Sequence, residues 1–272
     1  MKYDKKSIAE KVSELGCIQP WNHNFILPEG VETRPGNQVS HGKNLVKLKR
    51  LKPLFDLLDL KGKKVLDMGC NEGFFSLEMA SSGADVNGID IDEKRILKAN
   101  FIKKVLAPDL PVSFCVQDVY SPEFSLRNRF DLCLCLGFIH RVPDPFRALA
   151  SLADRSEMIV FEWKALKHGP HDDAFAYLSP KDENREDFYG TEYWILSFTA
   201  VERILARQGF KYFHRIDDPR QKRAILVAGR VNHRIFDSPD LILHRGRLRA
   251  LLSHGKRFWK TCCGIISGRV NS

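Results

Sequence analysis

A short aliphatic run that breaks at once into a glycine turn sets the terms for the whole chain: Lys64-Val65-Leu66-Asp67-Met68-Gly69-Cys70-Asn71-Glu72-Gly73. The run reads as a strand entering a tight turn, and residues 74–82 follow with a helical pattern. Ala84 to Asp90 is then a second short strand that ends on a carboxylate, with Asp92 just behind it. Glycines in such a turn let the backbone approach a ligand closely and take positive φ. An acidic residue at the tip of the next strand accepts the hydroxyls of a ribose. The unit is therefore a β/α/β piece of a parallel sheet with a nucleoside site at its turn.

Spacing selects among nucleoside ligands. The dinucleotide fingerprint is Gly-x-Gly-x-x-Gly, whereas this turn is Asp67-x-Gly69-x-Asn71-x-Gly73 followed by Phe74 and Phe75. Asp67 would repel a pyrophosphate but suits a ligand carrying an ammonium group. The pattern resembles motif I of class I S-adenosylmethionine-dependent methyltransferases, with Asn71 in place of the middle glycine. Asn is the non-glycine residue that best tolerates the left-handed conformation. The resemblance implies S-adenosyl-L-methionine as cofactor, held by Asp67, Gly69, Asn71, Gly73, Asp90 and Ile91. It also implies Gln117, Asp118 and Val119 at the third strand end, with Asp118 taking the adenine amino group, and Leu136 at the fourth.

In chain order, Ser7-Ile8-Ala9-Glu10 reads as a capping box for a short amphipathic helix that Gly16 stops. Trp21 to Gly36 is Pro/Gly-punctuated and aromatic, a segment expected to fold over the core. Lys43–Leu58 is the helix leading into the first strand. Glu93–Leu106, Val112–Val116, Phe130–Gly137 and Met158–Glu162 continue the alternation of helix and strand, the fourth strand being nearly all apolar as a central parallel strand should be. Thr199-Ala200-Val201-Glu202 reads as a second capping box, opening a helix over 201–208. Lys211–Ile216 and Ala224–Ala228 are expected as a closing antiparallel pair. The expected fold is thus α/β, a doubly wound, mostly parallel seven-stranded sheet. Residues 1–42 form an N-terminal helical appendage, 43–229 the core domain with a lid or insertion over about 164–194, and 230–272 a basic amphipathic tail.

Four further stretches, Leu27–Gly36, Leu136–Arg141, Phe161-Glu162 and Trp194–Phe210, resemble the branch containing the tRNA wobble-uridine 5-oxyacetic acid methyltransferase and its small-molecule and sugar-modifying relatives. The tRNA enzyme's Trp-rich segment ahead of the first strand is replaced here by Asn44–Leu51. The expected acceptor is accordingly a small molecule or sugar, or a glycolipid, methylated on oxygen or nitrogen. An RNA-modifying enzyme and a non-catalytic nucleoside-binding scaffold remain the alternatives. His140, whose neutral form is available near pH 7, is the candidate base. Glu162 is the candidate for orienting an acceptor hydroxyl or amine, or else an ion-pair partner of Arg141 or Lys164. His168, His171, Asp172 and Asp173 carry metal-donor chemistry but read as a solvated loop.

Charge and cysteines bound the rest. The net charge is +9, and from Arg230 onward nine basic residues stand against Asp237 and Asp240. Contact with an anionic membrane surface or with RNA is therefore expected of the tail. The seven cysteines are odd in number, and Cys115, Cys133 and Cys135 lie in strand-like apolar runs, as small core residues of a reducing compartment do. No apolar run reaches the roughly twenty residues of a membrane span and the first residues start no signal peptide, so the expected location is cytoplasmic, peripheral to a membrane if the tail binds one.

Overall fold

The computed structural model describes residues 4–35, 38–125, 129–164, 174–179, 192–216 and 223–238. Within them run α1 (Lys5–Ile18), α2 (Gln38–Phe55), β1 (Lys64–Met68), α3 (Phe74–Ser81), β2 (Asp85–Asp90), α4 (Glu93–Leu106), β3 (Val112–Val116), α5 (Pro122–Ser125), β4 (Phe130–Leu136), α6 (Pro145–Asp154), β5 (Ser156–Lys164), β6 (Ala176–Leu178), β7 (Trp194–Leu196), α7 (Phe198–Arg207), β8 (Tyr212–Ile216) and β9 (Arg223–Gly229). Seven strands form one sheet in the order β3-β2-β1-β4-β5-β9-β8. Pairing is parallel from β3 to β5, and β9 runs antiparallel to both its neighbours. The chain winds outward from β1 in one direction and returns through β4 in the other, so a crevice opens at the carboxyl ends of β1 and β4.

The period-two alternation of β4 explains why both faces of the sheet are covered. Cys133 and Cys135 point into a cluster with Leu149 and Leu152 of α6 and Val201 and Leu205 of α7. Leu132 and Leu134 point the other way, against Leu48, Leu51 and Leu54 of α2 and Phe75 and Met79 of α3. A strand buried on both faces needs an apolar residue at nearly every position, which is what 130–136 supplies. A third cluster joins Ile8, Val12 and Leu15 of α1 to Phe101 and Ile102 of α4, with Trp21, Phe25 and Leu27 closing over it. The segment after α1 is therefore packed onto the domain.

Element ends differ from the sequence expectation where a better cap was at hand. Asp4, rather than Ser7, caps α1, its Oδ1 accepting the Ser7 N–H at 2.7 Å. Gly16 does not stop that helix, which runs on to Ile18. Ser197, rather than Thr199, caps α7 by accepting the Ala200 N–H. Helix α2 starts five residues before Lys43, at Gln38, and ends at Phe55. Of the expected lid over 164–194, β6 pairs antiparallel with β7 at its end, and residues 165–173, 180–191 and the four metal-donor residues lie outside the described ones.

Gly73 shows how strictly the turn is built. It adopts φ 82°, and a Cβ on it would come within 2.6 Å of the Phe114 ring. Gly73→Ala is expected to lower stability by about 1–3 kcal/mol from backbone strain alone, with the ring clash added. A fall in the urea midpoint checks this.

Candidate functional site

A cavity of about 330 Å³ lies at the carboxyl ends of β1, β2 and β4. Its floor is the turn after β1, where Gly69 and Asn71 have φ of 71° and 54°. Asp67, the side chain that enters the turn, is 3% exposed and accepts the Ser76 hydroxyl at 2.6 Å. Burial pushes its carboxyl up to about 6, against the lowering effect of Ser76. At the end of β2, Asp90 is fixed by two backbone donors, Asn71 N–H at 2.9 Å and Asp92 N–H at 3.0 Å. Burial raises its pKa as well. Each Asp90 oxygen keeps lone-pair capacity for a further donor.

Of the residues singled out in the sequence, Asp67, Gly69, Asn71, Asp90, Ile91, Gln117, Val119 and Leu136 line this one cavity. Gly73, Asp118, His140 and Glu162 are not in its lining. Gly73 serves the turn and the packing of Phe114. Asp118 turns its Oδ1 to the Tyr120 N–H at 2.9 Å, while Gln117 and Val119 on either side face the cavity. His140 is 1% exposed with its ring 5.6 Å from that of Tyr193, and its carbonyl accepts the Trp194 N–H, tying β7 to the end of β4. Glu162 is fully buried behind Gly137, and its ion-pair partners are Lys47 at 3.2 Å and Arg223 at 2.9 Å rather than Arg141 or Lys164.

Two parts of the site had no mark in the sequence. The first is an anchor under the N-terminal segment. Glu72, 1% exposed, accepts the backbone N–H of Asn22 and of His23, both at 2.8 Å, and faces Lys98 at 3.7 Å. Lys98 in turn donates to the carbonyls of Gln19 and Pro20. This brings Asn22 and His23 into the cavity wall. Burial, with Lys47, Arg95 and Arg34 nearby, holds His23 neutral by lowering its pKa to about 3. The second is a cluster of cations at the end of β4. Lys47, Arg141 and Arg223 line the cavity there. Lys47 Nζ, Arg223 Nη1 and Glu162 Oε2 all lie within 3.5–3.7 Å of where a Gly137 Cβ would sit. Lys47 comes from α2 and Arg223 from β9, so only the folded sheet brings them together.

Among the described residues no group of three or more His, Cys, Asp or Glu side chains is placed to hold a metal ion. Nor is any described helix long and apolar enough to cross a membrane.

Known proteins resemble this chain in sequence and in fold. Residues 59–171 match the family model described as "Methyltransferase domain". The chain is 36% identical to the ubiquinone biosynthesis O-methyltransferase of Photorhabdus laumondii over 144 residues, 53% of this chain and 51% of that one. It is 34% identical to the enzyme of the same name from Coxiella burnetii over 112 residues, 40% of this chain and 46% of that one. The chain thus spans about half the length of the curated relatives it matches. Among solved structures, the N-terminal domain of EvdMO1, determined with SAH and D-fucose, superposes over 85% of this chain and 98% of its own with a TM-score of 0.62 at 20% identity. Magnesium protoporphyrin IX methyltransferase from Synechocystis PCC 6803, determined with SAM, covers 70% of this chain and 80% of its own with a TM-score of 0.50 at 21% identity. These two likenesses establish the class I, Rossmann-like fold.

Proposed function

We propose that this chain, which carries a methyltransferase domain over residues 59–171, is an S-adenosylmethionine-dependent methyltransferase acting on an oxygen of a small-molecule acceptor. The observation that carries the reading is the pair of fixed carboxylates, Asp67 and Asp90, on either side of one left-handed turn in one cavity. Asp90 fits the ribose hydroxyls, Ile91 and Val119 fit the faces of the adenine, and Asp67 fits the ammonium of the methionyl tail. Bound there, the cofactor supplies a methyl group on a sulfonium. The chain's own contribution is alignment and exclusion of water. Among the described residues, His140 stands outside the cavity lining and the pKa of His23 is lowered to about 3, so in this reading proximity carries the catalysis that those residues supply. Glu162 acts by holding Lys47 and Arg223 in place. The names of the relatives favour oxygen, and no observation favours nitrogen. The RNA and membrane expectations rest on 230–272, of which 230–238 are described.

Incubating the protein with S-adenosylmethionine and a panel of catechols, hydroxybenzoates and sugars tests the activity. A product one methylene unit heavier, with S-adenosylhomocysteine in equal amount, is expected. Absence of both from every acceptor class would count against it.

Binding carries a pH signature. A ligand ammonium favours the ionised form of Asp67, so binding at a pH below about 6 must displace a proton from it. Affinity for S-adenosylmethionine is expected to be flat above about pH 7 and to weaken by up to about tenfold per unit below 6. Calorimetry across this range, with Asp67→Asn as the control that flattens the profile, checks the sign.

A further inference from the structure

The segment that follows α1 is fastened to the cavity wall at two points, and each adjoins a donor to Asp90. Glu72, which takes the N–H groups of Asn22 and His23, is next in the chain to Asn71, and the Asn71 N–H holds Asp90 Oδ2. Gln19 Nε2 donates to Asp92 Oδ2 at 2.9 Å, and the Asp92 N–H holds Asp90 Oδ1. His23 is the side chain this arrangement brings to the cavity. Its backbone is pinned at both polar groups, the N–H by Glu72 and the carbonyl by the Thr33 hydroxyl, each at 2.8 Å. Its ring packs edge-on against Phe25 and against Phe74, with centroids 6.1 Å apart in each pair. Nδ1 is nevertheless buried without a hydrogen bond, 3.5 Å from Glu72 Oε2. An enclosed polar atom without a partner costs stability, and a phenylalanine would fill the same aromatic niche without that cost. With Nδ1 enclosed, Nε2 is the nitrogen that the ring can offer to a ligand. Burial keeps the ring neutral, so it adds no positive charge beside a sulfonium.

We infer that His23 is a cofactor-binding residue supplied from outside the sheet, its Nε2 hydrogen-bonding the ribose of the nucleoside seated on Asp90. This rests on the methyltransferase reading of the same cavity. A ribose hydroxyl both donates and accepts, so it suits either tautomer of a neutral imidazole. The strand ends supply the floor of the site and Asp90, and the segment after α1 supplies this further polar contact. Glu72 is then a positioning residue for it, acting through the His23 backbone.

The test is calorimetric titration of S-adenosylhomocysteine into the full chain and into His23→Phe and His23→Gln, with a thermal melt of each. Phenylalanine keeps the ring packing and removes both nitrogens; glutamine gives up the ring but carries an amide nitrogen at about the reach of Nε2. His23→Phe is expected to melt no lower than wild type and to bind about three- to tenfold more weakly, the worth of one hydrogen bond. His23→Gln is expected to melt lower and yet to bind more tightly than His23→Phe. Wild-type affinity in His23→Phe overturns the inference and leaves the methyltransferase reading standing. Affinities that follow the order of the melts overturn it too, since packing alone then explains the residue. A wild type that binds neither S-adenosylhomocysteine nor S-adenosylmethionine strikes the methyltransferase reading itself, and the contact falls with it.

Discussion

Asp90→Ala is expected to remove S-adenosylmethionine binding from a protein that still folds. In the proposed complex the Asp90 carboxylate accepts both ribose hydroxyls. Two hydrogen bonds to a charged acceptor contribute about 1.5–3 kcal/mol each, so affinity is expected to fall at least about a hundredfold. The substitution also frees the N–H groups of Asn71 and Asp92. These lie at a solvent-accessible turn, and the cost to folding is expected to be about 1 kcal/mol per lost hydrogen bond. A thermal melt beside the titration separates the two effects. Wild-type affinity in a folded Asp90→Ala protein would remove Asp90 from the site.

The largest effect on stability is expected at a residue that makes no part of the cavity wall. Glu72→Ala takes away the carboxylate facing Lys98, a lysine with no exposed surface, and leaves the N–H groups of Asn22 and His23 without their acceptor. Breaking a buried pair by removing one partner costs about 3–5 kcal/mol because the other charge stays behind. Urea unfolding should show a loss of this size, and the double variant Glu72→Leu, Lys98→Met should recover part of it. Because the same anchor carries Asn22 and His23 into the cavity, cofactor affinity is expected to fall with it. An unchanged midpoint in Glu72→Ala would show that the anchor contributes little.

The fold, and the gathering of Asp67, Gly69, Asn71 and Asp90 round one cavity, were legible because both are written locally. The turn at 67–73 carries its glycines within one motif, Asp90 follows at the tip of the next strand, and β4 declares its burial by apolar residues at almost every position. Strand ends in this fold converge by topology, so their residues can be assigned to one crevice before any contact is known. Helix caps were less legible, since Asp4 and Ser7, or Ser197 and Thr199, are chemically equivalent candidates that only backbone geometry separates. The cation cluster was not legible at all. Lys47, Glu162 and Arg223 are spread over most of the chain and meet because α2, β5 and β9 pack around Gly137. Nothing in the sequence marks Glu72, whose burial follows from the segment at 19–23 laid over it. His140 illustrates the converse: its position after β4 suggested the cavity, but the pairing of β7 with β6 and its tie to the His140 carbonyl leave the ring against Tyr193.

Mass spectrometry of the small molecule released from freshly purified protein, paired with titration of S-adenosylmethionine into the emptied wild type, tests the central claim most directly. Recovery of S-adenosylmethionine or S-adenosylhomocysteine, with saturable rebinding at one site, is the expected result. A folded protein that releases neither and binds neither would contradict the account and leave a nucleoside-shaped cavity with another occupant.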